Sequence, residues 1–179
     1  MINILFICHG NICRSPMAEF ILKDMVKKAG CEDEFYIDSA ATSTEETGNP
    51  MYPPAKRKLR EKGVPFTEHR ARQITGGDFR EFDYVIAMDR YNLRNLRSMF
   101  GADTAEMRKV SLLLDYAVIK GKAEKAEKEA MQADSDFYDG ERRDIADPWY
   151  TGDFELTYND IVRGCTAFLR FLGINPPSA

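Results

Sequence analysis

The sequence predicts an α/β fold: a three-layer, Rossmann-like domain with a four-stranded parallel sheet and helices on both faces. Three observations predict it. Short runs with the length and composition of strands recur at residues 4–7, 34–40, 83–88 and 110–113. Helix-favouring stretches separate them, and strands alternating with helices imply a parallel sheet covered on both sides. The first run is followed by Cys8-His9-Gly10-Asn11-Ile12-Cys13-Arg14-Ser15-Pro16, a polar loop ending in a pair suited to starting a helix. Open α/β sheets bind ligands beyond the carboxyl ends of their strands, so this loop is the first place to look for chemistry.

Residues 4–7, Ile-Leu-Phe-Ile, form a continuous apolar run of the kind buried on both faces of a parallel sheet. Gly10 and Asn11 tolerate left-handed backbone angles and make the turn after it. Met17, Phe20, Ile21 and Val26 give an apolar face to a helix that starts at Ser15-Pro16, with Ser15 as N-cap, and runs to about residue 28. Gly30 stops it. Residues 34–40 form the second strand, and residues 56–62 a basic, helix-favouring stretch ended by Gly63. The third strand, 83–88, leads to Asp89, an N-cap for a helix bearing Leu93 and Leu96 on one face. The fourth strand spans 110–113. The last helix covers about 154–171, with Leu156, Ile161 and Phe168 among its apolar positions.

Between the fourth strand and the last helix lies a charged insert at about residues 116–143. Within it, 122–132 reads as an alanine-rich helix with Glu124 and Lys128 at a favourable i,i+4 spacing. Its charge pattern is that of a solvated surface helix. The functional alternative is a flap or docking surface, because the insert feeds directly into Asp147. No internal repeat is visible, and 179 residues are expected to form one domain, 1–179.

A net charge of −4 with interspersed signs gives no support to a nucleic-acid partner. No apolar run approaches a membrane span. The first strand begins almost at Met1, so no signal peptide is expected. The four cysteines lack the spacing of a disulfide framework. Cys8 must stay reduced to react, so a cytoplasmic location is expected.

The loop's spacing has a chemical logic. Cys8 ends the strand and Arg14 closes the loop after five intervening residues. Turn N–H groups and the positive end of the following helix converge on one point, an oxyanion cradle. A thiol facing those donors and a guanidinium is favoured as thiolate, the nucleophilic form. Arg14 offers a planar fork for two phosphoryl oxygens. Asn11 is placed to bond loop carbonyls and hold the turn. Ser15 is placed to donate its hydroxyl to the thiolate, both as nucleophile and as leaving group.

Plainer explanations exist. A cysteine closing a buried strand is often only a small core residue. Cys8, His9 and Cys13 carry metal-ligating atoms, but Arg14 adjoins them and no second ligand pair follows, so no metal or other cofactor is expected. The loop lacks a Gly-Lys-Ser/Thr ending and is not a nucleotide-binding loop.

The string from Cys8 to Pro16 resembles the phosphate loop of the low-molecular-weight protein tyrosine phosphatases. Later segments are similar to that family in the same order: Ser39-Ala40-Ala41-Thr42-Ser43, His69-Arg70-Ala71-Arg72-Gln73-Ile74-Thr75, Phe82-Asp83-Tyr84 through Met88-Asp89 with Asn92-Leu93, and Asp147-Pro148-Trp149-Tyr150. Only residues 116–143 stand outside the resemblance. It implies a protein tyrosine phosphatase that forms a phosphocysteine on Cys8, binds the phosphoryl group with Arg14, and uses Asp147 as general acid and then base. It places His9, Gly10, Asn11, Ile12, Cys13 and Ser15 in the phosphate loop. Trp149 and Tyr150 fall at a rim where a phenyl ring can stack. On local pattern alone, Asp147 before a proline is a turn former.

The implied partners are phosphotyrosine proteins or peptides, with inorganic phosphate as product. Bacterial relatives commonly oppose tyrosine autokinases of polysaccharide export, which extends the resemblance to such kinases as partners. Asp89 reads as a helix cap, His69 and Arg72 as structural, and Cys31 and Cys165 as structural. Cys13 lies close enough to Cys8 in sequence for a protective disulfide in oxidant; its plain reading is a buried loop cysteine. Glu45 stands where many relatives carry an aromatic residue on the cleft wall. A carboxylate there would weaken ring stacking and repel acidic peptide flanks. Ile12 keeps the branched apolar residue of tyrosine-phosphate members, where relatives directed at phosphoarginine tend to have Thr. Two alternatives compete. A thiol-dependent arsenate reductase on a similar fold needs shuttling cysteines, and none forms a close pair after Cys13. A non-catalytic phosphotyrosine-binding module is not favoured by the presence of Cys8, Arg14 and Asp147.

Overall fold

The computed structural model describes residues 1–102, 104–118 and 143–176. Strand β1 (Ile2–Cys8) is central in a four-stranded, all-parallel sheet of order β2-β1-β3-β4, with β2 at Phe35–Ala41, β3 at Tyr84–Ala87 and β4 at Val110–Leu112. The register runs from Ile2 opposite Phe35 to Cys8 opposite Ala41 on one side, and from Ile4 opposite Tyr84 to Ile7 opposite Ala87 on the other. The α/β class and the parallel sheet are as the sequence predicts.

The apolar run of β1 has to satisfy two layers, and it does so by alternation. Ile4, Phe6 and Cys8 join a cluster with α1 (Arg14–Lys28), α2 (Pro53–Glu61) and α7 (Phe154–Phe171), through Met17, Leu59 and Phe168. Leu5 and Ile7 face a second cluster with Phe79 of α3 (Asp78–Glu81) and Leu96 of α4 (Arg90–Phe100). Ile4, Leu5, Phe6 and Ile7 are all completely buried, and each contributes about 1.5–3 kcal/mol of transfer free energy. The loop that carries Cys8 thus leaves the carboxyl end of a central strand buried on both faces. Gly164 of α7 lets that helix come close: a Cβ there would stand 2.5 Å from Leu113 Cγ.

Local details depart from the sequence reading. Helix α1 begins at Arg14 with Cys13 in the N-cap position and no side-chain cap. Ser15 is therefore not the cap; it lies inside the first turn, where its hydroxyl is drawn to Cys8 instead. Helix α2 starts earlier than the basic stretch, at Pro53-Pro54, where the missing N–H groups cost nothing. Two further one-turn helices, α5 (Asp115–Val118) and α6 (Pro148–Thr151), lack the length to leave a periodic signal. The helix expected at 122–132 lies outside the described residues. The ends of the insert do meet: Arg143 Nε donates to Asp115 Oδ1 at 2.5 Å. Among the described residues no helix is long and apolar enough to cross a membrane.

Candidate active site

The loop after β1 is tied to its neighbours by backbone bonds from Thr42, Ser43 and Tyr52, and braced from within by Asn11. Asn11 is fully buried with φ at 57°, the left-handed conformation that Asn tolerates. Its Nδ2 donates to Ser15 Oγ and to Ser39 Oγ, both at 2.9 Å, and its Oδ1 accepts from the Arg72 backbone N–H at 3.1 Å. Its carbonyl accepts from His69 Nε2 at 2.8 Å. A carbonyl can only accept, so His69 carries its proton on Nε2. The sequence reading had Asn11 bonding loop carbonyls. The partners are two hydroxyls and a backbone donor, because the β2 exit and the 69–73 segment pass directly behind the loop.

Cys8 is 3 % exposed. Its Sγ accepts from the Asn11 backbone N–H at 3.2 Å and lies 3.1 Å from Ser15 Oγ. Ser15 Oγ accepts from Asn11, and its single hydrogen has two acceptors in reach, the sulfur at 3.1 Å and the Ala40 carbonyl at 3.5 Å. In the same loop, the N–H groups of Gly10, Ile12 and Cys13, and those of Arg14 and Ser15 in the first helical turn, find no acceptor among the described residues. Buried N–H groups are nearly always paired; several unpaired in one loop make a built anion cradle. Cys13, in the same loop, differs from Cys8. Burial first, then the neighbouring Cys8 and Asp147, push its thiol well above the ordinary range and outweigh Arg14.

Arg14 is 2 % exposed, and a buried charge needs partners. Its Nη1 donates to Asp89 Oδ2 at 2.5 Å and to the Ile145 carbonyl at 3.1 Å; its Nη2 donates to Asp147 Oδ2 at 2.6 Å. Burial alone would lower its pKa, but Cys8, Asp147 and Asp89 more than offset that and raise it. The guanidinium is thus not the wholly open fork expected from the loop. Of its five hydrogens, those on Nε and one on Nη2 have no protein partner among the described residues, and they form one edge of the fork.

Asp89 does two jobs. Its Oδ1 accepts from Asn92 N at 2.7 Å and its backbone N–H donates to Asn92 Oδ1 at 3.3 Å, a reciprocal capping box for α4. The other oxygen holds Arg14. The sequence reading found only the cap. Asp147 caps α6 through Trp149 N, at 3.0 Å from Oδ1, so the turn-forming habit of Asp-Pro and its place beside Arg14 coexist.

Cys8, His9, Gly10, Ile12, Cys13, Arg14, Glu45, Asp147, Trp149 and Tyr150 line one pocket of about 140 Å³, with Glu46 added to the sequence-predicted set. Asn11 and Ser15 stand behind it. Glu45 is exposed at the rim, with Oε2 3.0 Å from His9 Nε2. Tyr52 does not line the pocket; its ring braces Trp149 at a centroid distance of 5.1 Å. A larger hollow of about 390 Å³ lies at the amino ends of the strands, lined by Tyr84, Arg108, Ser111 and Tyr116, and no cysteine lines it. Among the described residues no cluster of three or more His, Cys, Asp or Glu could hold a metal ion.

Residues 3–175 match the family model of the low molecular weight phosphotyrosine protein phosphatases. The chain belongs to that family. The low molecular weight protein-tyrosine-phosphatase YfkJ of Bacillus subtilis is 39% identical over 170 residues, covering 94% of each chain. The crystal structure of YfkJ shares the fold at a TM-score of 0.77, covering 97% of this chain and 95% of that one at 38% identity. The low molecular weight phosphotyrosine protein phosphatase of Gallus gallus is also 39% identical, over 171 residues and 94% of each chain. A Drosophila arginine phosphatase aligns with a TM-score of 0.73 at 32% identity, covering 94% of this chain and 96% of that one.

Proposed function

We propose that this chain hydrolyses phosphotyrosine in proteins or peptides through a phosphocysteine on Cys8. The observation that carries the reading is the cradle: Cys8 Sγ between Asn11 N and Ser15 Oγ, in a loop of N–H groups without protein acceptors, beside a buried Arg14. A phosphoryl group brings about −1.5 to −2 charges. The cradle and the free edge of Arg14 are complementary to its non-bridging oxygens. Cys8 thiolate attacks phosphorus, the tyrosyl P–O bond breaks, and Asp147 delivers its proton to the departing phenolate. Water then attacks the phosphocysteine, Asp147 takes a proton back, and inorganic phosphate leaves with Cys8 restored as thiolate, stabilised by Ser15. The side chain of Ile12 and the rings of Trp149 and Tyr150 make an apolar rim suited to a phenyl ring. No cofactor enters this scheme.

The scheme treats residues 1–179 as one phosphatase domain, working where thiols stay reduced, as in a cytoplasm. A tyrosine autokinase is a fitting protein substrate, since its product is phosphotyrosine. The test is turnover of phosphotyrosine and p-nitrophenyl phosphate, with acid-quenched enzyme analysed for a phosphorylated Cys8 peptide. Phosphotyrosine should be hydrolysed far faster than phosphoarginine. Arsenate should inhibit rather than be reduced. Thiol-dependent arsenate reduction, or a preference for phosphoarginine, would overturn the reading.

A further inference from the structure

Charge is distributed unevenly around the mouth of the pocket. Glu45 and Glu46 contribute to its wall. Glu45 Oε2 lies 3.0 Å from His9 Nε2. Glu46 meets the amide of Asn49 at 2.7 Å and has no cationic partner among the described residues. Adjoining the pocket, and sharing Asp147 with it, is a groove of about 410 Å³ lined by Asp89, Arg90, Tyr91, Arg94 and Asp144. Its acids are all committed: Asp89 and Asp147 hold Arg14, and Asp144 takes Arg90 at 3.0 Å. Arg94 is left over. It is exposed, its guanidinium lies over the Tyr91 ring at 5.4 Å from the centroid, and no carboxylate among the described residues pairs with it. Tyr91 in turn neighbours His9, ring to ring at 6.3 Å. The mouth is therefore acidic at Glu45 and Glu46, and the basic Arg94 stands in the adjoining groove, reached from the mouth through His9 and Tyr91.

We propose that Arg94 is a specificity-determining residue that pairs with an acidic side chain of the substrate, on one flank of the phosphotyrosine only. This rests on the phosphatase reading above. Once the phosphotyrosine is seated over Cys8, the peptide has to cross the rim, and an extended chain advances about 3.3–3.6 Å per residue. Its immediate neighbours therefore reach the residues around the mouth. An arginine stacked on an aromatic ring is partly ordered before it binds. It can also accept a carboxylate without breaking another ion pair. The flank that passes Glu46 meets repulsion instead, which gives the selection a direction.

The experiment uses three phosphotyrosyl peptides of one sequence, with Glu residues on the N-terminal side, on the C-terminal side, or replaced by Gln on both. One Glu peptide should show a KM about 2- to 5-fold below the Gln peptide, the range of an exposed ion pair, with kcat alike. The gain should shrink with added salt. Arg94→Ala should erase it, and Glu46→Gln should lift the penalty on the other flank. A gain that survives Arg94→Ala, or equal gains on both flanks, would overturn the proposal. So would a fall in kcat on every peptide, which marks a structural role. Turnover of p-nitrophenyl phosphate by the unaltered enzyme separates the two levels. If it is absent, the phosphatase reading itself fails; if it is present while the peptides are not distinguished, only the role of Arg94 fails.

Discussion

The phosphate loop and the acid loop face each other across one pocket but are held in opposite ways. The phosphate loop is braced from behind: Asn11 uses its side-chain amide, both sides of it, and its carbonyl on partners from β2, α1 and the 69–72 segment. The acid loop is tied at its root, where Ile145 N donates to Met88 O at 2.9 Å and Thr157 Oγ1 to Ala146 O at 3.2 Å. Its tip is open: Trp149 is 54 % and Tyr150 84 % exposed. The link from tip to site runs through Asp147 and Arg14 Nη2. An anion cradle must be prebuilt, since its donors cannot be reorganised cheaply as charge arrives. A proton donor must move between two tasks. In the proposed mechanism the guanidinium that holds Asp147 also receives the phosphoryl group, so arrival of substrate would weaken the hold on the acid as it is needed.

The largest effects should come from breaking the cradle side. Cys8→Ser should abolish turnover while still binding phosphate by calorimetry, because the donors remain. Arg14→Ala should lose both the rate and the binding, and it leaves the half-buried carboxylates of Asp89 and Asp147 without their cation. Appreciable hydrolysis by Cys8→Ser would sink the nucleophile assignment.

The acid side should be next. Asp147→Asn should slow phosphotyrosine hydrolysis by about 10²–10⁴-fold, the usual worth of general acid–base help. The loss should shrink on aryl phosphates whose phenols are more acidic, because they depart without a proton. A loss independent of leaving-group pKa would make Asp147 a positioning residue only.

The contrast in bracing can be read in stability. Asn11→Ala leaves the Arg72 N–H without its acceptor, removes the amide donor from the Ser15 and Ser39 hydroxyls, and puts Ala at a left-handed angle. It should cost at least about 2 kcal/mol. Tyr150→Ala at the open tip should stay within about 0.5 kcal/mol. Urea unfolding of the two variants checks both, and equal losses would dissolve the comparison.

The smallest effect should be at the rim. Glu45→Tyr replaces a carboxylate with a ring able to stack on the substrate phenyl, and should lower KM for phosphotyrosine peptides a few-fold while changing kcat less. His9 already faces Glu45, so part of the carboxylate's field is spent there. An unchanged KM and salt dependence would remove Glu45 from the list of specificity residues.

What was legible in the sequence was what neighbours in the chain write together. Strand and helix positions followed from apolar spacing, and the parallel sheet from their alternation. The phosphate loop was readable because nucleophile, turn residues and arginine lie within one short string, Cys8 to Ser15. Asp147 was reachable only through a family resemblance, since its partner Arg14 is 133 positions away. The tertiary structure alone decided how the buried charges and amides were satisfied. Asp89 showed its cap, made with a residue three positions on, but not its grip on Arg14, 75 positions distant. Asn11 suggested a turn, but not that Ser39 and Arg72 would complete it. Arg94 and Glu46 looked like ordinary surface charge until the order β2-β1-β3-β4 brought their segments to one mouth and its adjoining groove. The reason is physical. Periodicity and capping are short-range, whereas a buried ion must find its counter-charge wherever the sheet order delivers one.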